Sequence, residues 1–488
     1  MKKAFIILLV GIMALFCFAG CNQPTKDPTK DSETATDRSE ITQPEKIEDS
    51  GLPASLDFGD EYVKFLHRTS FKNELYATEE DKGTVDEAVF ARNEYVQEQL
   101  NVEFQYVEVD EAYNQYAKMH NRILSSYLAG DEEVQIISGG AYYAPALVTQ
   151  EVYYDMHVLN SSKTNYLNFE QKWWNAAFAE QAELFGKLFY ATGDLTISVT
   201  KELEAMAYNK SLLNSYYPEA DLLQEVYDGE WTYEKMLGYL TEVGNSEDSG
   251  VYGLAVMCDS GSIDGFLSGM DVDLMEIEDE SLLVNINTDH NYEVVNKLRE
   301  LYHDNPHVDS NGDTCNARFS GGQSIFYMGM ILKEGGVLSK SDFDFYVIPS
   351  PKWDDNQEDY VVAPHDLYSC ISVMNGVEDT DMISAVLELL AYRSYVKVRP
   401  ALFENTYKYS YIGSEDGAKM FDFVLDHVSY NFMNIYSNVL GNVFWTLRDN
   451  VRYLSKNQLL TDLVNASSIA KANLETFLYA VEHSGGLA

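Results

Sequence analysis

The sequence predicts an α/β protein with more than one lobe, and two observations lead to this prediction. Segments that alternate like β-strands and segments with helical spacing follow one another along the first part of the body, which is typical of a largely parallel sheet. The chain has 488 residues, of which 45% are hydrophobic. Because a single hydrophobic core stops growing at about 250 to 300 residues, we expect two cores.

The first elements can be assigned in order. Residues 61–68 alternate between apolar and polar and predict a strand. A helix is expected from a capping box that begins at Thr84, and Asn101 should close this helix. Residues 102–109 alternate as a second strand, and after another helix the apolar residues 134–137 predict a third strand.

The segment SGGAYYAP, residues 138–145, directly follows the third predicted strand. In α/β sheets, ligands bind beyond the carboxyl ends of the strands. The glycines allow a ligand to approach the backbone, and the tyrosines offer contact surface. Ser138, Gly139, Tyr142 and Tyr143 are therefore candidate ligand-binding residues, with a plain turn bearing two surface tyrosines as the alternative.

Later segments continue the α/β pattern. Residues 186–213 predict two β segments followed by the start of a helix, and Thr232 is a candidate N-cap of an amphipathic helix. Residues 252–256 predict a strand, and residues 319–331 predict a glycine-marked helix and strand. Helical spacing dominates from Asp379 onward.

The N-terminus has the form of a secretory signal peptide. Two lysines precede an uncharged apolar stretch from Ala4 to Phe18, and the small residues Ala19 and Gly20 follow it. This stretch is shorter than the ~20 residues that a membrane-spanning helix needs. We assign residues 1–20 to the signal peptide and expect the remainder of the chain to be exported.

Residues 18–21, FAGC, resemble the bacterial lipobox, although Phe18 stands where leucine is more usual. The resemblance implies that Cys21 is acylated and anchors the protein to the membrane. The alternative is an ordinary signal peptide with an incidental cysteine. Residues 22–55 are rich in Ser, Thr, Asp, Glu, Lys and Pro and contain no aromatic residue, so we assign residues 21–58 to the lipidated cysteine and a disordered tether.

The composition is strongly acidic. The chain has 78 Asp and Glu residues against 34 Lys and Arg residues, which gives a formal net charge of -44. Such a surface repels phosphate backbones, so nucleic acid is not expected as a partner. Anionic substrates are also disfavoured, although a local basic pocket could outweigh the total charge.

No motif of an enzyme stands out in the sequence. It lacks the phosphate-binding motif GxxxxGK[ST] and the nucleophile motif GxSxG. His303 and His307 are four residues apart, but Pro306 interrupts any helix that would align them. We therefore expect no metal site, no cofactor and no catalysis. A glycoside hydrolase stays open as an alternative, because two suitably spaced carboxylates would suffice.

Several motifs occur in the order found in the extracellular solute-binding proteins of ABC importers, and the chain resembles the carbohydrate-type group to which maltose-binding protein belongs. The resemblance extends from about Tyr62 to the C-terminus. The motifs are GKLFYATGDLTISVTKELEAMAYNKSLL, GEWTYEKMLGYL, YGLAV, FSGGQSIFYMGM, FDFYVIPSPKW and VFWTLRDNV.

The resemblance implies a two-lobed periplasmic-binding-protein-like fold of type II, in which each lobe is a mostly parallel sheet flanked by helices and a ligand cleft lies at the hinge. Lobe 1 is expected to comprise 59–197 and 366–408, and lobe 2 to comprise 198–365 and 409–488. The chain should cross between the lobes near Ile197, His365 and Lys408.

The resemblance also implies a function. A monomeric lipoprotein at the outer face of the cytoplasmic membrane would capture a sugar or oligosaccharide and deliver it to separate ABC permease subunits. Closure of the two lobes over the ligand would create the surface that the permease recognises. A peptide ligand and a surface glycan-binding role stay open as alternatives.

Four further residues are candidates for ligand contact. Trp445 matches the position of a tryptophan that stacks on sugar in the maltose-type branch, with core packing as the alternative. Glu202 falls on a family position that carries a sugar-binding acid. Asp194 and His365 are expected near the crossings. A solvated surface role is the alternative for Glu202 and for Asp194. The segment FYMGM lacks the tryptophan of several sugar binders, so the identity of the sugar stays open.

Overall fold

The computed structural model describes residues 48–110, 116–243, 250–278, 281–332, 336–403 and 415–483. These residues belong to one compact unit, Glu45–Ala488. The predicted signal peptide, Cys21 and the third predicted crossing near Lys408 lie outside the described residues.

The described strands form two large sheets and a small hairpin. They are β1 (Glu61–Arg68), β2 (Val102–Val109), β3 (Ile136–Gly140), β4 (Leu203–Asn209), β5 (Tyr252–Val256), β6 (Met275–Glu278), β7 (Ser281–Val284), β8 (Val308–Asp309), β9 (Ser324–Met330), β10 (Phe345–Ile348), β11 (Ala363–Pro364) and β12 (Ser369–Val373).

Helices of very different lengths flank the sheets. They are α1 (Thr84–Leu100), α2 (Tyr116–Ala129), α3 (Pro145–Val148), α4 (Ala176–Ala182), α5 (Ser198–Lys201), α6 (Lys210–Tyr216), α7 (Leu222–Tyr227), α8 (Tyr233–Thr241), α9 (Ser260–Gly269), α10 (Asp289–His303), α11 (Cys315–Ser320), α12 (Thr380–Arg393), α13 (Glu415–Asp426), α14 (Phe432–Ile435), α15 (Val443–Arg452) and α16 (Leu459–His483).

The first sheet has the strand order β12-β3-β1-β2. Strand β1 is parallel to both β2 and β3, and β12 is antiparallel to β3. Val63, Phe65 and Leu66 of β1 are at most 1% exposed, as expected for a central strand covered on both faces. This sheet is mostly parallel, as predicted from the sequence, and all four strands lie within the ranges predicted for lobe 1.

The second sheet has the strand order β10-β4-β9-β5-β8, with β11 also paired to β4. Here β5 is parallel to β8 and β9, but β4 is antiparallel to β9, β10 and β11. The expected mostly parallel sheet is therefore mixed in this half of the molecule. The reason is that β4 enters directly from the first sheet through α5, so its start pairs with the end of β9, where Glu204 faces Met330.

A buried hydrogen-bond network anchors both described connections between the sheets. The carboxylate of Glu74, which is 1% exposed, accepts the backbone N–H of Ser198 at 2.6 Å and the hydroxyl of Ser369. The backbone N–H of Ser369 donates to Ser198 Oγ at 2.8 Å, and Arg68 donates to Ser369 Oγ at 2.6 Å. One carboxylate thus fixes the two connections to each other and to the first sheet.

Residues 48–58, which the sequence assigned to the tether, pack on the body. Leu52 is 2% exposed, and Leu56 and Phe58 pack against the same core. The carboxylate of Glu48 accepts a hydrogen bond from Arg393 at 3.0 Å. Although this stretch is mostly polar, burial of these three apolar side chains is enough to hold it against the protein.

Two of the three predicted helix ends are confirmed. Asn101 ends α1 in the left-handed conformation, with φ of 52°, and the Thr232 side chain caps α8 by accepting from Lys235 N. The capping box expected at Thr84 is not formed. Thr84 is the first helical residue of α1, and Gly83 is the N-cap without a side-chain capping bond. Among the described residues, no helix has the length and apolar character needed to cross a membrane.

Glu388 on α12 holds a tryptophan pair of the loop before α4. Its carboxylate accepts from Trp173 Nε1 at 3.0 Å and from Trp174 Nε1 at 2.8 Å. The backbone N–H of Asn168 donates to the same carboxylate at 3.2 Å. Burial raises the pKa of Glu388 from 4.5 to about 7, although these hydrogen bonds oppose the rise.

We predict that Glu388→Gln flattens the pH dependence of stability. Between pH 4.5 and about 7, the folded protein keeps the Glu388 proton that the unfolded chain has released. The contribution of Glu388 to the free energy of unfolding therefore falls as the pH rises through this window, by roughly 1 to 3 kcal/mol. Urea unfolding at pH 5 and pH 8 measures the change. A Gln variant with the wild-type difference between these pH values would contradict the prediction.

Candidate functional site

Residues from both sheets meet in one cluster of aromatic and charged side chains, which we call the cleft cluster. Its residues come from the turn after β3, the end of α5, the start of α9, the connection between β11 and β12, and α15. They are Tyr142, Glu202, Ser260, Asp264, His365, Asp366, Trp445 and Arg448.

The aromatic part of the cluster is a stacked pair. The rings of Tyr142 and Trp445 have centroids 5.3 Å apart and an interplanar angle of 9°. The Tyr142 hydroxyl donates to Asn442 Oδ1 at 2.6 Å, and the Tyr142 backbone N–H donates to the carbonyl of Asp366 at 3.2 Å. The turn after β3 is therefore joined to the connection between the sheets and to α15.

Arg448 is the main cation of the cluster. Its guanidinium donates to both carboxylate oxygens of Asp264, with Nε to Oδ1 at 2.9 Å. It also lies 3.4 Å from Asp366 Oδ2. All three side chains are at most 8% exposed. Burial raises the pKa of Asp264, and the guanidinium of Arg448 opposes this rise. A bidentate pair of this kind fixes both side chains in direction as well as in charge.

His365 links the start of α9 to two carboxylates. Its Nε2 is 3.2 Å from Ser260 Oγ, and its Nδ1 is 3.4 Å from Asp366 Oδ1 and 3.8 Å from Glu202 Oε2. The backbone N–H of His365 donates to the carbonyl of Glu202 at 2.8 Å. The first two predicted crossings therefore run side by side, and their polar side chains face the same region.

A cavity of about 570 Å³ opens beside the cluster. It lies at the carboxyl ends of β5 and β9, where an α/β sheet typically binds its ligand. Asp259, Gly261 and Ser262, which surround Ser260 at the start of α9, are among its lining residues. A volume of this size falls within the roughly 300 to 1,000 Å³ of small-molecule sites.

A second cavity of about 660 Å³ lies at the opposite end of α9, where Ser268 and Asp271 line it. None of the cleft-cluster residues lines either cavity, but Pro364 and Phe444, which adjoin His365 and Trp445 in the chain, line this one. Unlike the first cavity, it has no lining residue from β5 or β9.

The structure brings four of the eight candidate ligand residues together in the cleft cluster: Tyr142, Glu202, His365 and Trp445. Two others lie within the first sheet. Ser138 is 2% exposed and pairs with Ile371, and Gly139 pairs with Cys370. A Cβ atom on Gly139 would stand 3.5 Å from the Met119 methyl group. These two residues support the strand that leads to Tyr142.

The remaining two candidates lie elsewhere. The Tyr143 ring stacks on Tyr116 at a centroid distance of 4.6 Å and meets the Tyr142 ring edge-on at 4.9 Å. Asp194 lines a separate cavity of about 340 Å³ and lies 3.5 Å from Arg399 Nη1. Burial raises the pKa of Asp194 to about 6, and Arg399 opposes the rise. A ligand role for these residues stays a prediction.

Sequence reasoning missed Ser260, Asp264, Asp366 and Arg448. The sequence could have indicated Arg448, because it follows Trp445 by three residues on a helix and so lies on the same side of that helix. Asp366 follows the candidate His365 directly. Asp264 is recognisable only through its pairing with Arg448, which is 184 residues away along the chain.

We predict that Arg448→Met lowers the free energy of unfolding by about 3 to 5 kcal/mol, because Asp264 and Asp366 would lose their buried counter-charge. Urea unfolding measures the loss. Arg452→Met on the exposed side of the same helix is the matched control and should change stability by less than about 0.5 kcal/mol. Equal effects of the two substitutions would show that the ion pair is not the cause.

Comparison with solved structures identifies the fold. The galacto-N-biose/lacto-N-biose I-binding protein of the ABC transporter from Bifidobacterium longum aligns with a TM-score of 0.57 and 12% identity over 86% of this chain and 98% of that protein. The sugar-binding protein MalE from Xanthomonas citri aligns with a TM-score of 0.57 and 12% identity over 87% and 100%.

An ABC substrate-binding protein from Listeria monocytogenes, in complex with cycloalternan, aligns with a TM-score of 0.56 and 10% identity over 85% of this chain and 99% of that protein. No protein-family model and no curated protein sequence matches the chain. The structural comparisons confirm the predicted fold class: this chain has the two-lobed α/β fold of these substrate-binding proteins.

Proposed function

We propose that this chain is the substrate-binding receptor of an ABC transporter and that it captures a neutral sugar or oligosaccharide at the cleft cluster. The observation that carries the proposal is that Arg448 lies beside the Trp445 ring and is ion-paired to Asp366 of the connection between the sheets. The three structural neighbours support it, because each is a substrate-binding or sugar-binding protein.

The chemistry of the cluster suits a carbohydrate. Sugars present apolar C–H faces, which stack on aromatic rings, and hydroxyl groups, which donate to carboxylates. Trp445 supplies the ring, and Glu202 and Asp366 supply carboxylates with 11% and 8% exposed side chains. Ser260 adds a hydroxyl that already bonds to His365. Such a site has both an apolar platform and polar groups that fix the orientation of a ligand.

The charges of the site favour a ligand without a negative charge. In the cleft cluster, Arg448 is engaged by Asp264 and Asp366, and Glu202 adds a further carboxylate. In the cavity, Lys340 faces a lining that contains Asp259 and Asp313. Carboxylates outnumber guanidinium and ammonium groups in both places, so an anionic sugar would meet net repulsion.

The location of the receptor follows from the N-terminal segment. With Cys21 acylated, the protein would be held at the outer face of the cytoplasmic membrane as a monomer. Ligand-driven closure of the lobes would then present the receptor to separate permease subunits by population shift. The role is binding and delivery, without chemistry on the ligand.

We predict that lacto-N-biose, maltotetraose or cycloalternan raises the melting temperature of residues 48–488. A ligand at 100 times its Kd stabilises the folded state by about 2.7 kcal/mol. The sugar should be recovered intact by chromatography. Consumption of the sugar would identify a glycoside hydrolase, and a shift with peptides alone would identify a peptide receptor.

The same assay tests the aromatic platform. Trp445→Ala should weaken binding of the active sugar by about 1 to 3 kcal/mol. Trp353→Ala is the matched control, because Trp353 stacks on Tyr233 and not on the cleft cluster. Equal affinities of the two variants would remove Trp445 from the site.

We further predict that oxidation of one C6 hydroxymethyl group of the active sugar to a carboxylate weakens binding at least about tenfold at low salt, because the cluster has no spare cation. Calorimetric titration of the matched pair measures the ratio of the Kd values. The ratio should decrease at 0.5 M NaCl, since salt screens the repulsion. Tighter binding of the oxidised sugar would contradict the charge argument.

A further inference from the structure

We propose that the Tyr142 ring covers the Trp445 platform and that a sugar binds by displacing the Tyr142 ring. The proposal rests on the proposed function, since it concerns the same site. It assigns Tyr142 a role different from ligand contact: this residue competes with the ligand and thereby sets which sugars can bind.

The geometry of the stacked pair shows the cover. Centroids 5.3 Å apart with an interplanar angle of 9° describe two rings in direct stacking contact. A third ring needs about 3.5 to 4 Å of separation from each neighbour, so no sugar fits between them. A sugar that stacks on this face of Trp445 must therefore take the place of Tyr142.

The Trp445 ring has a second neighbour, and this one is fixed. The guanidinium carbon of Arg448 lies 5.7 Å from the ring centroid, and Asp264 and Asp366 hold the guanidinium by buried ion pairs. Moving Arg448 would leave two buried carboxylates without a counter-charge, which is costly. Tyr142 is the neighbour that can leave at the lower cost, because its side chain is neutral. It stacks on Trp445, meets the Tyr143 ring edge-on at 4.9 Å and donates to Asn442, and losing these contacts leaves no buried charge unpaired.

The turn before α15 is shaped to receive the Tyr142 hydroxyl. Asn442 is the N-cap residue of α15, with φ of 57° and ψ of 43°, and its side chain makes no capping bond. Its Oδ1 accepts the Tyr142 hydroxyl at 2.6 Å instead. Gly441 before it also has a positive φ, of 93°. An N-cap asparagine usually bonds to its own helix, so this turn exchanges a local bond for one to Tyr142.

The contact joins parts of the chain that belong to different sheets. Tyr142 follows β3 of the first sheet. Helix α15 packs beside α10, where His303 Nε2 lies 2.8 Å from the carbonyl of Val451, and it is tied to α9 by the Arg448–Asp264 pair. The Tyr142 side chain therefore joins the two sides of the cleft.

Competition of this kind lowers the apparent affinity. The observed Kd equals the intrinsic Kd divided by the fraction of molecules in which the platform is uncovered. The ring contacts of Tyr142 with Trp445 and Tyr143 and its hydrogen bond to Asn442 together account for a factor of roughly ten or more. Only a ligand whose contacts exceed those of a phenol ring would bind, which selects sugars with an extended apolar face.

The test compares Tyr142→Ala, Tyr142→Phe and Asn442→Ala in the chain from residue 48 to 488, with maltotetraose and lacto-N-biose as probes in calorimetric titration. Tyr142→Ala should bind the active probe about tenfold more tightly than the wild type. Tyr142→Phe and Asn442→Ala, which remove only the hydrogen bond, should bind it a few-fold more tightly. Binding by Tyr142→Ala alone would also support the proposal. Weaker binding by all three variants would overturn it and make Tyr142 a ligand contact.

A second readout needs no ligand, so it separates this proposal from the proposed function. Acrylamide quenching of tryptophan fluorescence should increase in Tyr142→Ala relative to the wild type. The increase should vanish in the Tyr142→Ala/Trp445→Phe double variant, since the newly exposed ring is that of Trp445. Unchanged quenching in a folded Tyr142→Ala protein would overturn the cover. If quenching increases but no sugar binds any variant, Tyr142 covers Trp445 as proposed and the proposal of a sugar ligand is wrong.

Discussion

The buried guanidinium of Arg448 is the interaction on which the cleft cluster depends. It neutralises Asp264 on α9 and reaches Asp366 on the connection between the sheets. The carbonyl of Asp366 in turn receives the backbone N–H of Tyr142. A single cation thus sets the positions of three elements that are distant in sequence. Without it, the carboxylates would repel one another in a region of low dielectric constant, and the elements that carry them would separate.

The many acidic residues of this chain are stabilised differently at the surface and in the interior. Over the surface, a net charge of -44 is compensated by water and salt. In the interior each carboxylate needs its own partner. Glu74 accepts backbone and hydroxyl donors, Glu388 accepts two indole N–H groups, and Asp264 takes a guanidinium. Each of these three acids therefore holds two or more chain segments together, because several donors offset the water that a buried carboxylate loses.

The sequence predicted those parts of the fold that depend on local periodicity. Strands β1 and β2, the left-handed end of α1 at Asn101 and the Thr232 cap can be read from neighbouring residues, and the structure has them. The direction of β4 could not be read, since it depends on where the chain enters the second sheet. Pairing direction is a long-range property and leaves no trace in the strand itself.

The residues of the candidate site also differ in how far the sequence predicted them. Trp445 and Glu202 were identified by family resemblance and His365 by its place near a crossing, and the structure places them in one cluster. Tyr142 and Tyr143 were indistinguishable in the sequence, yet one faces Trp445 and the other faces Tyr116. The two rings touch each other edge-on, and only the fold decides which of them stacks on Trp445.

The Glu74 network determines where this molecule can bend. Because Ser198 and Ser369 are bound to one carboxylate, any rotation of one sheet relative to the other must be absorbed in the few residues between this anchor and the strands β4 and β11. Glu202 and His365 lie in those short stretches, close to the axis of such a rotation, so their positions would change little. Tyr142 and Trp445 lie on opposite sides of the axis and would travel further. The polar groups that recognise a ligand would then stay in place during the rotation, and the aromatic rings at the edge of the site would move relative to them.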